Sequence, residues 1–268
     1  MKQPAKFVKT AIYSLMLGSF ALTAHADSYD DGLMAYTSGN FTKASQYFMT
    51  AAEQGSSGAE HMLMRLFSEG KLQSADLNRE TLKWTRKAAE NGIKQAQFEL
   101  AEIYAKKQGN VQDAIQWYRL AANQNHPDAF FELGEIYKKG AKGVAADSQK
   151  STRMYQIAAS EFDVYAQKGN SEYQYALAEM YQHAKGVNKN MKLAVKWMGK
   201  SAQQGHTVAQ LGLGRLYAKG NNVPRDINQA KHWLTLAAAQ GTGSASASAA
   251  AILSELNQDE NAKLAYAF

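Results

Sequence analysis

One nine-residue pattern returns along the chain, and it limits the fold more than any other feature. Its form is Ala-x-x-x-Leu-small-x-apolar-aromatic. It reads AQFELAEIY at 96–104, AFFELGEIY at 129–137, YQYALAEMY at 173–181 and AQLGLGRLY at 209–217. AEHMLMRLF at 59–67 is a looser copy and ASASAAAIL at 245–253 a degenerate one. Successive copies start 37, 33, 44, 36 and 36 residues apart. Four residues before each stands Gly55, Gly92, Asn125, Gly169, Gly205 or Gly241. Self-similarity at such a period marks a repeat array, in which one unit cannot bury its apolar face alone and must stack on its neighbours.

A second element lies between the copies. An aromatic or Met is followed four residues later by a small pair: Tyr47 with Ala51-Ala52, Trp84 with Ala88-Ala89, Trp117 with Ala121-Ala122, Met154 with Ala158-Ala159, Trp197 with Ser201-Ala202 and Trp233 with Ala237-Ala238. Ala44, Thr81, Ala114, Ser151, Ala194 and Ala230 precede them by three. Both elements carry apolar residues at i, i+3, i+4, i+7 and i+8, one face of an α-helix. Each unit therefore predicts two antiparallel helices. Helix A carries the Ala-Leu-small-Tyr face and helix B the aromatic and the Ala pair. The small residues allow close helix approach and the aromatics fill the space between neighbours. The Gly after helix B suits a left-handed C′ position. Asp147, Asn190 and Asp226 stand where helix B needs an N-cap, and Gln229 completes a capping box with Asp226.

This pattern resembles the Sel1-like repeat family, a relative of the tetratricopeptide repeats. The unit at 207–241 carries the resemblance most fully, with Ala209, Leu213, Gly214, Tyr217, Gly220, Val223, Asp226, Ala230, Trp233, Ala237, Ala238 and Gly241. Units are expected at about 29–55, 57–92, 94–125, 127–169, 171–205 and 207–241, with a partial one from 243 and a C-terminal capping helix or tail at 257–268. The fold class expected is all-α, a right-handed α-solenoid of about six stacked antiparallel helix pairs. Three departures stand out. Residues 29–54 follow the shorter tetratricopeptide spacing. The 94–125 unit is shortened between Tyr104 and Ala114. The 127–169 unit gains about seven residues after its Ala pair, two helical turns, over Ser160–Lys168.

Residues 1–26 read as an address rather than as fold. Lys2, Lys6 and Lys9 precede the apolar stretch AIYSLMLGSFA at 11–21, and Ala24-His25-Ala26 gives an A-x-A cleavage pattern. That is a secretory signal peptide, too short in its apolar part to span a bilayer. The chain's +6 charge includes those three lysines and no acid from the segment, so the mature protein carries about +3 and gives no electrostatic case for nucleic acid. The expected location is the periplasm. With no Cys, disulfides, thiolate metal sites and a Cys nucleophile are excluded.

On a stack of this kind the A helices line the concave face, where equivalent positions form columns. Two residues before the Leu stand His61, Phe98, Phe131, Tyr175 and Leu211. Two residues after it stand Arg65, Glu102, Glu135, Glu179 and Arg215. The columns are i and i+4 on each helix and share a face. One reading is a partner-binding groove, an aromatic strip flanked by three Glu with an Arg at each end, suited to an extended or helical peptide with basic and apolar residues. The other is ordinary packing beneath solvated carboxylates. Among catalytic signatures, no H-E-x-x-H, G-x-S-x-G or P-loop occurs, and nothing asks for a cofactor or a metal. The expectation is a non-enzymatic scaffold or adaptor for a protein or peptide. Resemblance to relatives adds a regulator or component of envelope machinery, such as a wall-hydrolase inhibitor or a flagellar-motor component. A β-lactam-binding or β-lactam-hydrolysing activity is the third reading; the relatives it resembles are rich in Cys, and this chain has none.

Overall fold

The computed structural model describes residues 28–72, 77–107, 109–220, 223–241 and 243–265; the predicted leader lies outside them. Among the described residues there are thirteen α-helices and no strand. The chain divides into two compact units, one ending at His126 and the other beginning at Pro127. The first holds α1 (28–37), α2 (Phe41–Glu53), α3 (Ser57–Ser68), α4 (Leu77–Glu90), α5 (Lys94–Glu102) and α6 (Val111–Asn123). The second holds α7 (Pro127–Lys139), α8 (Ser148–Gln167), α9 (Ser171–His183), α10 (Met191–Gln203), α11 (Thr207–Lys219), α12 (Ile227–Ala239) and α13 (Ser244–Ala265). Odd-numbered helices are A helices and even-numbered ones B helices. Within each unit consecutive helices pack on one another from α2 to α6 and from α7 to α13. The fold is an all-α solenoid of helix pairs.

Backbone chemistry repeats with the sequence. The N–H of the residue capping each later B helix donates to the carbonyl of the aromatic ending helix A: Asn110 to Tyr104 (2.9 Å), Asp147 to Tyr137 (2.7 Å), Asn190 to Tyr181 (3.0 Å) and Asp226 to Tyr217 (3.0 Å). The side chains of the same four residues accept the N–H three residues on. One residue thus ties both helices of a pair and satisfies an orphan donor. After helix B the chain turns through positive φ, at +94° in Gly55 and +57° in Asn125; Asn is the residue other than Gly that tolerates this region best.

The deepest column differs from the expected one by a single residue. Trp84 and Trp197 of the expected column are buried, but Tyr47, Trp117, Met154 and Trp233 are half-buried, whereas the residues after those four, Phe48, Tyr118, Tyr155 and Leu234, are buried. The reason is contact with the partner A helix. A Cβ on Gly134 would come 2.7 Å from the Tyr155 ring, and one on Gly214 would come 2.6 Å from Leu234. The small residue of helix A is therefore the seat of the side chain following the Trp position.

The extra residues of the 127–169 unit extend α8 to 20 residues. They bury Phe162 and Ala166, with Phe162 between Phe131 and Tyr173 at 6.0 and 5.2 Å. In the shortened 94–125 unit, α5 runs into a π-helical turn at Ile103–Lys107. Residues 257–265 continue α13 without a break.

A polar ladder also recurs. Buried Gln97, Gln174 and Gln210 each donate to a carbonyl of the preceding B helix, Ala89, Ala166 and Ala202, at 3.2, 3.0 and 3.0 Å. Gln124 and Gln204 donate in turn to the side-chain oxygens of Gln97 and Gln174 at 2.9 and 2.7 Å. In α3 the same position is Glu60, 1% exposed, whose charge is met by Lys87 at 2.9 Å and by Asn91. Such pairing is what makes polar groups tolerable between helices.

Candidate functional site

In the first unit, Arg65 donates from Nε and Nη2 to Glu69 at 3.0 and 2.8 Å, and from Nη2 to the Tyr36 hydroxyl at 3.3 Å. Burial and the Arg65 charge push the neighbouring His61 below its usual range. Phe98 is half-buried. It stacks on His126 with centroids 4.5 Å apart and planes within 10°, and it tilts against Tyr118. Burial, and then the Lys94 charge, hold the His126 imidazole down at about 4. Glu102 accepts from the Tyr118 hydroxyl at 2.5 Å and pairs with Lys106.

In the second unit, Phe131 packs against Tyr155 at 5.6 Å beneath the Lys185 ammonium, 4.6 Å from the ring centre. Glu135 accepts from the Tyr155 hydroxyl at 2.6 Å and pairs with Lys139 at 2.9 Å and with Lys185. Burial works to raise this carboxyl, but hydrogen bonds from Lys185, Tyr155 and Lys139 outweigh it and hold it at about 2. Burial and that same carboxylate push the Tyr155 phenol well up.

The structure brings four of the column residues into one cleft, Leu211 among them. Tyr175 and Glu179 of α9 and Arg215 of α11 line a space of about 450 Å³ whose walls include Met198, Val208 and Leu211. Tyr175 stacks on His206 at 5.0 Å, and burial, then the Glu179 charge, push its phenol up to about 12. Glu179 lies 3.5 Å from His183 Nε2. Sequence reasoning did not find Met198, Val208, Lys189 or Lys219 around this cleft. Lys219 was findable, four residues after Arg215 on the same helix face. The role of His206 was also missed. Its Nδ1 accepts the Ala209 N–H at 3.1 Å and its Nε2 lies 2.9 Å from Glu172, so an imidazole caps α11 where Asn or Ser caps others. A second cleft of about 790 Å³ lies between α8 and the 184–190 loop, with Tyr155, Gln156, Lys185 and Asn188 on its walls; no sequence signal marked it. No helix among the described residues is long and apolar enough to cross a membrane.

Comparison with known proteins agrees with this architecture. The Sel1 repeat model matches at 19–56, 64–93, 94–126, 127–161, 171–206 and 207–242, leaving most of the added turns of α8 between two matches. The chain belongs to the Sel1 repeat family. A Sel1 repeat protein from Oxalobacter formigenes is 30% identical over 81% of this chain and 86% of its own, with a TM-score of 0.61. An immunity protein from Pseudomonas aeruginosa shares the fold, at 19% identity over 78% of this chain and 82% of its own and a TM-score of 0.50. No curated protein matches the chain. Sel1 repeat proteins are generally protein–protein interaction scaffolds and typically non-catalytic.

Proposed function

We propose that the protein is an exported adaptor that captures a protein or peptide partner on the face of its A helices. The observation that carries this reading is the cleft gathering Tyr175, Glu179 and Arg215, on a fold whose family works by binding proteins. Arg65, Phe98, Glu102, Phe131 and Glu135 continue the same columns in the other repeats. The leader pattern of Lys2, Lys6, Lys9, the apolar 11–21 stretch and Ala24-His25-Ala26 supports export to the periplasm with cleavage after Ala26. The partner then belongs to the envelope, and a wall-cleaving enzyme or a motor component is within reach of such an adaptor. No reaction is assigned to it.

Two measurements test this. N-terminal sequencing of protein from the periplasmic fraction should begin at Asp27; an uncleaved cytoplasmic chain removes the export part. A cross-linked pull-down from envelope extract should recover a partner with the wild-type protein and lose it with Tyr175→Ser. Equal recovery by both moves the interaction off this face.

A further inference from the structure

The cleft between α9, α10 and α11 has a charge pattern that the Glu column alone does not suggest. Its floor is apolar. Met198 and Leu211 are buried, and Gly212 deepens it, since a Cβ there would meet Met198 Sδ at 2.8 Å. Val208 on its wall is 42% exposed, an aliphatic side chain left facing solvent. Its rim is mostly cationic. Arg215 and Lys219 are i and i+4 on α11, and Lys189 precedes α10. The acid on the rim is Glu179, which stands beside His183. Among the described residues no carboxylate lies within ion-pair distance of Arg215, Lys219 or Lys189. Elsewhere in the Glu column the charge is already met, Glu102 by Lys106 and Glu135 by Lys139 and Lys185. A basic ligand would thus find little unneutralised acid, while an acidic one would find three cations beside an apolar floor.

We infer that this cleft takes an acidic–apolar segment of the protein partner, with one aliphatic or aromatic side chain on Met198 and Leu211 and a neighbouring carboxylate on Arg215 and Lys219. The inference rests on the adaptor reading and names the chemistry that the partner must carry. A volume of about 450 Å³ falls in the range of small-ligand sites and suits one or two side chains. Arg is suited to the carboxylate because its fork gives charge-assisted, bidentate hydrogen bonds.

The test is a charge swap with two fluorescein-labelled hexapeptides, one alternating Leu with Asp and the other Leu with Lys, followed by anisotropy. The wild-type protein should bind the Leu/Asp peptide more tightly than the Leu/Lys peptide by at least tenfold. Arg215→Glu/Lys219→Glu should reverse that order. Both replaced side chains are exposed, so the fold should survive, checked by an unchanged thermal melt. Val208→Asp, at an equally exposed wall position, gives a second variant that should weaken the Leu/Asp peptide. Equal Kd values on the wild type, an unaltered order in the double variant, or no Leu/Asp binding at millimolar concentration overturns the proposal. Sedimentation with phosphatidylglycerol vesicles that the double variant loses, without peptide binding, also overturns it. Failure here with Tyr175-dependent partner capture intact leaves the adaptor reading standing. A successful swap without any captured partner supports the cleft chemistry and turns the failure on the adaptor reading.

Discussion

Glu135 and Glu179 occupy the same position of successive A helices, α7 and α9, two residues after Leu133 and Leu177. Their surroundings differ completely. Glu135 is held by one phenol and two ammonium groups, whereas Glu179 faces a cleft with a histidine beside it. The cause lies in two other columns. Four residues after Glu135 comes Lys139, and its B helix supplies Tyr155. Four residues after Glu179 comes His183, and its B helix supplies Met198, which has no hydroxyl. Glu102 follows the first rule, with Lys106 at i+4 and Tyr118 from its B helix. A repeat position therefore does not carry a function by itself. It becomes structural when the B helix brings a Tyr and the next turn a Lys, and it is left facing the cleft where both are replaced.

The strongest way to break this comparison is charge reversal at both sites. Glu135→Lys sets a third cation beside Lys139 and Lys185 and leaves the Tyr155 hydroxyl without its acceptor; it should cost on the order of 3 kcal/mol. Glu179→Lys should stay within about 0.5 kcal/mol. Urea midpoints decide, and equal losses would dissolve the distinction. Next in size is the seat of Tyr155. Gly134→Ala drives a Cβ toward its ring at 2.7 Å and should cost about 2 kcal/mol by overpacking. Gly199→Ala in α10, where a Cβ meets nothing within 4 Å, should stabilise by roughly 0.5–1 kcal/mol. Removing only the hydroxyl is smaller again. Tyr155→Phe and Tyr118→Phe should each cost about 1.5 kcal/mol, the usual size for a hydrogen bond to a charged group. A loss at one and not the other would mean that the shared rule for Glu102 and Glu135 is false.

The helix pairs were legible because each repeat states the same amphipathic period again, and Asp147, Asn190 and Asp226 marked where B helices begin. The lengthened α8 was legible too, since about seven added residues return the same face to the core. What stayed hidden depends on neighbours rather than on period. The pattern allows the i+3 and i+4 residues of helix B as core alike, and contact with Gly134 or Gly214 chooses Tyr155 and Leu234 over Met154 and Trp233. The different fates of Glu135 and Glu179 needed the pairing of columns across helices. Buried Glu60 gave no sign, because Lys87 and Asn91 lie some 30 residues away in sequence and meet it only across the repeat interface.

The last comparison is between the two units, in the pH dependence of stability. Glu135 is held at about 2 against an ordinary 4.5. A carboxyl lowered by folding stabilises the protein above its unfolded value, and that stabilisation fades as pH falls from about 4.5 to about 2. Glu135→Gln should therefore be less stable than the wild type at pH 6, and the gap should close across that lower window. His126 is held at about 4 against 6.5. As pH falls the unfolded chain takes up the imidazole proton first, so the stability tied to neutral His126 is lost between about 6.5 and 4. His126→Gln should flatten the upper part of the stability–pH curve and Glu135→Gln the lower part. Urea midpoints at half-unit steps from pH 7 to pH 2 separate the two. If Glu135→Gln keeps a constant gap down to pH 2, its pairs with Lys139 and Lys185 do not hold the carboxylate, and the contrast with Glu179 loses its electrostatic basis.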